Sequence, residues 1–212
     1  METKPFYVSL EKNPVISVKV IPGHFTTSNS HISHYLDMGT MKTNATVARE
    51  VARELAIPYR TTMFVETIVC MEKTEVIGAY LAEELTRYGT SVVNSEHDIN
   101  VVTPINSING KLVFQDSMIE LISNRSVVLL IASISSGRTI EKAVECLTYY
   151  GGKLVSISSL FSAAPEARKI HSMFTSKDIP GYKTFFPTEC EMCKAGQKLN
   201  ALVSSEGYME IK

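Results

Sequence analysis

Residues 127–152 read VVLLIASISSGRTIEKAVECLTYYGG. The first six residues are apolar and rich in β-branched side chains, which is typical of a strand buried on both faces of a parallel sheet. Small polar residues follow as far as Thr139, and an amphipathic helical pattern then runs to the glycines at 151 and 152. A strand, a small-residue loop and a helix N-terminus in this order predict an anion site. Unpaired backbone N–H groups and the positive end of the helix dipole converge there.

The rest of the chain predicts an α/β fold. Apolar, β-branched runs alternate with helical patterns between residues 64 and 160. Right-handed crossovers then give a twisted parallel sheet of about five strands with helices on both faces. Residues 15–40 are β-rich, and these residues and the tail from 182 to 212 do not fit the alternation. We expect a single domain over residues 1–212, with a core at about 43–181 and these two segments as a small β-rich hood over the carboxyl ends of the strands.

Two weaker local patterns complete the prediction. Residues 1–13 have no clear periodicity, which predicts a loose start, and residues 166–174 favour a short helix. Asn109 and Gly110 form a hairpin-turn pair.

Charge and hydropathy exclude two classes of partner. Lysine and arginine number 21 against 22 aspartates and glutamates, so no basic surface for nucleic acid is expected. No apolar run reaches membrane-spanning length, and the first residues lack the apolar segment of a signal peptide. We expect a soluble cytoplasmic protein that binds neither nucleic acid nor membrane.

The loop after the central strand supplies the candidate phosphate-binding residues. Its hydroxyls and backbone N–H groups suit a phosphate, whereas the alternative is an ordinary capped turn between a strand and a helix. Arg138 either adds a charge-assisted contact or is a solvated surface side chain. The candidates are Ser133, Ser135, Ser136, Gly137, Arg138 and Thr139.

Cys190 and Cys193 form a CxxC pair in the tail. A zinc site needs four ligands, and no second CxxC or HxxxH follows, so two reduced thiols are the favoured interpretation. Zinc shared between subunits or with a distant histidine is the alternative. His31 and His34 would point to opposite faces of a strand, so we expect them and His24 at the surface or beside a ligand. We therefore predict no metal site.

The central loop resembles the phosphoribosyl-pyrophosphate loop of type I phosphoribosyltransferases. That family has an apolar strand, two acidic residues, two apolar residues and a small turn with glycine and a final threonine, and residues 135–139 match the turn. Residues 23–38 (GHFTTSNSHISHYLDM) look like the opening of orotate phosphoribosyltransferases, with Gly23, Phe25 and Ser28 in place. Residues 70–85 (CMEKTEVIGAYLAEEL) stand where the family has its pyrophosphate loop and helix. The resemblance spans about residues 15–160.

This resemblance implies a phosphoribosyltransferase fold and a function. The protein would transfer a phosphoribosyl group from phosphoribosyl pyrophosphate to a nucleobase, with orotate as the best guess. It would use Mg²⁺ if it is catalytic and form a homodimer. By the same resemblance, contacts to base or pyrophosphate fall on Phe25, Thr26, Ser28, Glu72, Lys73 and Lys111. For Glu72, Lys73 and Lys111, the residues themselves favour solvated surface side chains instead.

One departure from the family pattern keeps a second function open. Ile131 and Ala132 stand where the family has the two acids that hold the ribose hydroxyls, and neither side chain accepts a hydrogen bond. The alternative is therefore a non-catalytic regulatory protein on the same fold that binds a nucleotide monophosphate or another phosphate ligand.

Overall fold

The computed structural model describes residues 4–87, 93–95, 97–106, 109–163, 170–204 and 207–211. Within them the strands are β1 (Phe6–Leu10), β2 (Asn13–Thr26), β3 (His31–Asp37), β4 (Thr67–Cys70), β5 (Asn100–Val102), β6 (Ile105–Asn106), β7 (Leu112–Val113), β8 (Ser126–Ile134), β9 (Lys153–Ser162), β10 (Ile170–Thr175), β11 (Thr184–Phe185), β12 (Ala201–Ser204) and β13 (Gly207–Glu210). The helices are α1 (Gly39–Thr43), α2 (Ala45–Ala56), α3 (Glu75–Thr86), α4 (Asp116–Ile119), α5 (Arg138–Tyr149) and α6 (Glu191–Lys194).

The core is a parallel sheet with the strand order β10-β9-β8-β4-β5. Every neighbouring pair in it is parallel, which confirms the predicted α/β class and the number of strands. In chain order these strands are arranged 2-1-3-4-5, so the winding direction reverses between β4 and β8. In a sheet of this kind, ligands bind at the carboxyl ends of the strands beside that reversal point.

Strand β8 shows why both faces of this sheet are covered. Its even-numbered residues Val128 and Leu130 pack into the cluster that contains α2 and α3, whereas Leu129 and Ile131 pack into the cluster that contains α5. Successive side chains of a strand point to opposite faces, so a strand between two helical layers must be apolar throughout. The continuous apolar run in the sequence has this cause.

Helix α3 lies unusually close to the sheet. A β-carbon at Gly78 would overlap the sulfur of Cys70 on β4 and would lie 3.1 Å from Val101 on β5. Gly78 therefore sets the distance between α3 and the strands β4 and β5. The carboxyl end of β4 lies at the ligand-facing edge of the sheet.

The second sheet is built from the two ends of the chain. Its order is β11-β3-β2-β12-β13, and β1 pairs with β2. The β2–β3 hairpin is antiparallel with a register shift between Pro22 and Phe25, and the tail strand β12 joins β2 in parallel at Phe25 and Thr26. We call this sheet, together with residues 27–30 between β2 and β3 and residues 186–200 between β11 and β12, the hood.

Two local predictions are corrected. Residues 6–10 form a strand and not a loose start, because their backbone pairs with Ser17–Val20 of β2 across the sheet. The segment expected to be helical at 166–174 contains β10, which pairs in parallel with β9. Residues 166–169 lie outside the described residues. In both cases backbone pairing with the neighbouring strand of the sheet overrides a weak local pattern.

The predicted turn at Asn109 and Gly110 lies between the paired strands β6 and β7, and Gly110 has a φ of 69°. Among the described residues, none of the helices is long and apolar enough to span a bilayer.

Candidate functional site

A cavity of about 390 Å³ lies where the carboxyl ends of β4 and β8 face the hood. Its volume falls in the range of small-molecule sites, about 300–1,000 Å³. The core contributes Glu72 and Lys73 after β4, and around the end of β8 it contributes Ala132, Ser133, Ser135 and Thr139. The hood contributes residues 27–29 and the strand β3. The cavity therefore lies at the reversal point of the parallel sheet, as the fold requires of a ligand site.

The phosphate-loop candidates surround the start of α5. Gly137 stands at the N-cap with a φ of 80°, a conformation that glycine adopts without steric cost, and no side chain caps this helix end. The first helical hydrogen bond runs from the Glu141 N–H to the Gly137 carbonyl at 3.1 Å. The N–H groups before Glu141 have no partner within the helix and carry the positive end of its dipole. This geometry suits an anion.

The predicted loop residues take three different positions. Ser133, Ser135 and Thr139 line the cavity. Ser136 and Gly137 line a shallow depression in the loop itself, next to the cavity. Arg138 is exposed and donates to Oδ1 of Asn29 at 3.4 Å, so it reaches the hood and not the cavity wall.

A hood loop of residues 27–30, between β2 and β3, rests on the phosphate loop. The Ser30 hydroxyl donates to Oγ of Ser135 at 3.2 Å. Within the loop, the Thr27 hydroxyl donates to the Ser30 carbonyl at 3.0 Å and accepts from the Ser30 N–H at 2.9 Å. The hood loop is thus a preformed turn that forms one side of the presumed phosphate site, and it places Ser28, one of the predicted contact residues, at the cavity.

Glu72 brings a carboxylate to the end of β8 from the neighbouring strand. Its Oε2 accepts from the Ser133 N–H at 2.9 Å, and the Ser133 hydroxyl lies 3.4 Å away. Burial raises the pKa of the Glu72 carboxyl, while the Ser133 N–H and the nearby Lys42 oppose that rise. Glu72 and Lys73 both have left-handed backbones, with φ of 57° and 64°. Such strain in residues other than glycine is characteristic of functional loops.

Three of the predicted contact residues lie elsewhere. Phe25 is buried in the hood, where its ring packs against Tyr35 at 6.1 Å and Tyr208 at 6.3 Å. Thr26 and Lys111 are not among the described residues that border the cavity, and Lys111 is an exposed residue just before β7. Phe25 therefore has a packing role here: the alternating pattern of β2 turns its ring inward against the rings of β3 and β13. Lys73 does border the cavity.

Apart from His34, which was expected at the surface or beside a ligand, sequence reasoning missed several residues on the hood side. His34, Tyr35 and Asp37 of β3 border the cavity, together with Lys42 of α1 and Tyr182. His34 is buried, its Nδ1 lies 2.7 Å from the Ser33 hydroxyl, and it stacks on Tyr182 at 6.2 Å. Burial lowers the pKa of His34, which favours the neutral ring. The polar and aromatic character of strand residues 31–37 was the available indication that this strand faces a ligand.

Solved structures with the same architecture are phosphoribosyltransferases. The UMP synthase of Leishmania donovani superposes with a TM-score of 0.55 at 19% identity, over 74% of this chain and 34% of that one, so this chain spans about a third of that protein's length. The adenine phosphoribosyltransferase of Trypanosoma brucei, solved with AMP, pyrophosphate and ribose-5-phosphate, superposes with a TM-score of 0.50 at 13% identity, over 75% and 78% of the two chains. No protein-family model matches the chain, and no curated protein matches its sequence. These likenesses establish the predicted fold, that of the type I phosphoribosyltransferases.

Proposed function

We propose that this protein transfers a 5-phosphoribosyl group from phosphoribosyl pyrophosphate to a nucleobase. The observation that carries the proposal is the convergence, in one cavity, of the phosphate loop, the half-buried Glu72 carboxylate and the hood wall. These three parts correspond to the three chemical parts of the reaction, which are the phosphate of the donor, its ribose and the incoming base. Catalysis would be mainly electrostatic, through stabilisation of the charge on the leaving pyrophosphate.

The donor would be oriented by its 5-phosphate. Ser135 and Thr139 line both the cavity and the adjoining depression in the loop. A dianionic phosphate there would accept from their hydroxyls and from the N–H groups at the start of α5. The ribose would then lie over the end of β8, beside Ala132 and Glu72.

Glu72 supplies the acceptor that residues 131 and 132 lack. Its carboxylate lies at the end of β8 through the hydrogen bond to Ser133 and borders the cavity. A carboxylate accepts hydrogen bonds from two ribose hydroxyls. Lys42, which donates to the Glu72 carbonyl at 3.3 Å, and Lys73 place positive charge on the same side, where pyrophosphate would leave.

The residues present also fit a magnesium ion brought by the donor. Asp37 and Glu72 are the carboxylates that border the cavity, and oxygen ligands are those that Mg²⁺ prefers. Mg²⁺ would neutralise charge on the pyrophosphate. Asp37 accepts from the Gly39 N–H at 3.0 Å, which fixes the carboxylate at the start of α1.

The base would enter against the hood. His34, Tyr35 and Tyr182 form an aromatic wall on that side of the cavity, and base rings stack on aromatic faces. We take orotate as the first base to test, because residues 23–38 resemble the opening of the orotate enzymes.

Binding without transfer is the second candidate function. Ile131 is 0% exposed and packs into the cluster of α5, so its side chain cannot contact a ribose in the cavity. A protein with the phosphate loop intact and ribose contacts reduced to Glu72 could sense a nucleotide monophosphate.

Pyrophosphate release from phosphoribosyl pyrophosphate and Mg²⁺ tests the proposal, with orotate, uracil, hypoxanthine, xanthine and adenine as acceptors. We expect turnover with one of them. Thr139→Ala should weaken donor binding at least about tenfold, since a hydrogen bond to a charged group contributes about 1.5–3 kcal/mol. Thr148→Ala makes the same change at the opposite, exposed end of α5 and should leave binding unchanged.

The same variants separate the two functions. No turnover with any base, together with a thermal shift by mononucleotides that Thr139→Ala abolishes, would favour the binding protein. No turnover and no shift would remove the phosphate assignment itself.

A further inference from the structure

Four side chains that commonly ligate metals meet at the end of the hood where the β2–β3 hairpin turns. They come from three separate parts of the chain: His24 from β2, His31 from β3, and Cys190 and Cys193 from the segment around α6. One potential ligand atom from each lies within 4.8 Å of all the others. We propose that these four residues bind one zinc ion in a tetrahedral site.

The distances between the ligand atoms have the size that such a site requires. Zn–N bonds of about 2.0–2.1 Å and Zn–S bonds of about 2.3 Å place neighbouring ligands of a tetrahedron about 3.3–3.8 Å apart. Nε2 of His24 lies 3.1 Å from Nδ1 of His31, 3.4 Å from the Cys190 sulfur and 3.7 Å from the Cys193 sulfur. The Cys193 sulfur lies 3.3 Å from Nδ1 of His31. Small shifts alone would bring all four atoms to bonding distance from a central ion.

The hydrogen bond of His24 directs its second ring nitrogen at the cluster. Its Nδ1 lies 2.9 Å from the Gln197 carbonyl, which can only accept, so Nδ1 donates. Nε2 is the remaining ring nitrogen, and three other ligand atoms surround it. A hydrogen bond from the second ring nitrogen to a carbonyl is the usual support for a zinc-bound histidine. One metal ion at the centre accounts for all four positions.

The CxxC segment has the conformation that turns both sulfurs to one side. Cys190 stands just before α6, and the Lys194 N–H donates to its carbonyl at 3.1 Å. The Gly196 N–H donates to the Cys193 carbonyl at 3.0 Å, and Gly196 has a φ of 74°, which reverses the chain toward Gln197. A spacing of two residues between cysteines is the one that structural zinc sites commonly use.

The position of the cluster indicates a structural and not a catalytic zinc. All four ligands come from the protein, which leaves no open coordination position. His24 and Cys190 are 0% and 1% exposed, while Cys193 lies at the surface. Both backbone groups of His24 bond to Asn200, at 2.6 Å to its side chain and 2.7 Å to its N–H. The ion would therefore fix the tail to β2 just before β12 pairs with that strand.

The zinc would also stabilise one wall of the cavity. His31 directly follows Ser30, which bonds to Ser135 of the phosphate loop, and β12 carries Val203 and Ser204 to the cavity. The site itself does not depend on phosphoribosyl transfer, and its occupancy is measured without any assay of activity.

Metal analysis of the full chain, purified without chelators or a polyhistidine tag, tests the proposal. We expect about one zinc ion per chain. Cys190→Ser with Cys193→Ser should lose it. Cys146→Ser, which removes a buried thiol on α5 outside the cluster, should keep it.

Cobalt substitution keeps the test independent of whether the double variant folds. Reduced, metal-free wild-type protein should bind Co²⁺ with the charge-transfer absorption of cobalt–thiolate bonds and the intense visible bands of tetrahedral Co²⁺. Absence of stoichiometric zinc together with absence of this spectrum would overturn the proposal. Zinc retained by the double variant would also overturn it. A Cys190–Cys193 disulfide that, once reduced, yields no cobalt spectrum would assign the pair to redox chemistry instead.

Discussion

The two halves of the β2–β3 hairpin are stabilised in different ways. Ile16, Val18 and Val20 in the first half of β2, and Leu36 opposite them, pack into the main hydrophobic cluster with α2 and α3. In the second half, Phe25 and Ile32 share a small buried cluster with Ala201, against which partly buried side chains pack: Ile21, Tyr35, Tyr182 and Val203. The same half carries His24 and His31, which face the two cysteines of the tail.

This difference shows where the hood needs contacts beyond the core. Burial of apolar surface stabilises the half that lies on the core, and the much smaller cluster in the other half contributes less. Small units of this kind are commonly stabilised by a metal or a disulfide. The weaker half also carries residues 27–30, which touch the phosphate loop through Ser30. Whatever holds the far half of the hairpin therefore also holds one side of the cavity.

The largest effect should come from placing an acid in the core of the parallel sheet, which is stabilised by apolar burial like the near half of the hairpin. Ile131→Asp would bury a carboxyl among the residues around α5, and we expect it to cost more than about 4 kcal/mol of stability. Ala132→Asp restores the other acid of the family pattern at a residue that borders the cavity, so it should cost clearly less. Urea unfolding of both variants measures the difference.

The same pair of variants also tests the ligand assignment. Ala132→Asp should strengthen donor binding if the ribose lies over the end of β8. Equal losses of stability in the two variants would contradict the inference that adjacent residues face a core and a cavity.

The strand–loop–helix unit of β8 and α5 could be predicted because it is local. The strand, the small residues and the helix that form it are consecutive in residues 127–149, and their periodicities alone place them at the ligand end of a parallel sheet. The parallel sheet itself could be predicted for the same reason, since each β–α–β unit is continuous in sequence. The strand β10 could not, because its hydrogen bonds to β9 decide its conformation.

The histidine–cysteine cluster could not be predicted because it is not local. His24 and Cys190 are 166 residues apart, and the CxxC pair alone supplies half of a zinc site. His31 and His34 point to opposite faces of β3, and this alternation argued against a metal site that contains both. Of the two, His31 turns toward the cluster and His34 borders the cavity. Glu72 was among the predicted contact residues, but its position could not be predicted for a similar reason: it follows β4 in sequence, whereas its carboxylate lies at the end of β8.

Removal of the metal should have an intermediate effect, confined to the weaker half of the hairpin; this prediction depends on the zinc proposal. After chelation, hydrogen exchange should accelerate at least about tenfold in β12 and in the β2–β3 pairs around Phe25, which corresponds to about 1.4 kcal/mol. The amides of β8 should be unaffected, because their stability comes from the core. Added zinc should restore protection. Uniform acceleration through both sheets would show that the two halves of the hairpin do not differ as described.

The smallest effect concerns Glu72, where the cavity meets the rigid core. Burial raises the pKa of this carboxyl in the folded protein above its ordinary value. Between the ordinary and the raised pKa the folded state binds more protons than the unfolded state, so stability falls as pH rises through that window. Glu72→Gln removes this dependence. Below the ordinary pKa of a glutamate the two proteins should be about equally stable. Above the raised pKa the variant should be more stable than wild type by the free energy that corresponds to the pKa shift.

Urea unfolding across a pH series measures this difference, with Glu83→Gln as a control that removes an exposed carboxylate of α3. A wild-type curve that gained stability over the variant with rising pH would mean that the Ser133 N–H and Lys42 outweigh burial at Glu72. In that case Glu72 would be fixed as an anion in the empty cavity, ready to accept ribose hydroxyls without first losing a proton. If the pKa of Glu72 is raised, as we expect, ligand binding must offset the cost of ionising this carboxyl. Donor affinity should therefore rise with pH over the same window.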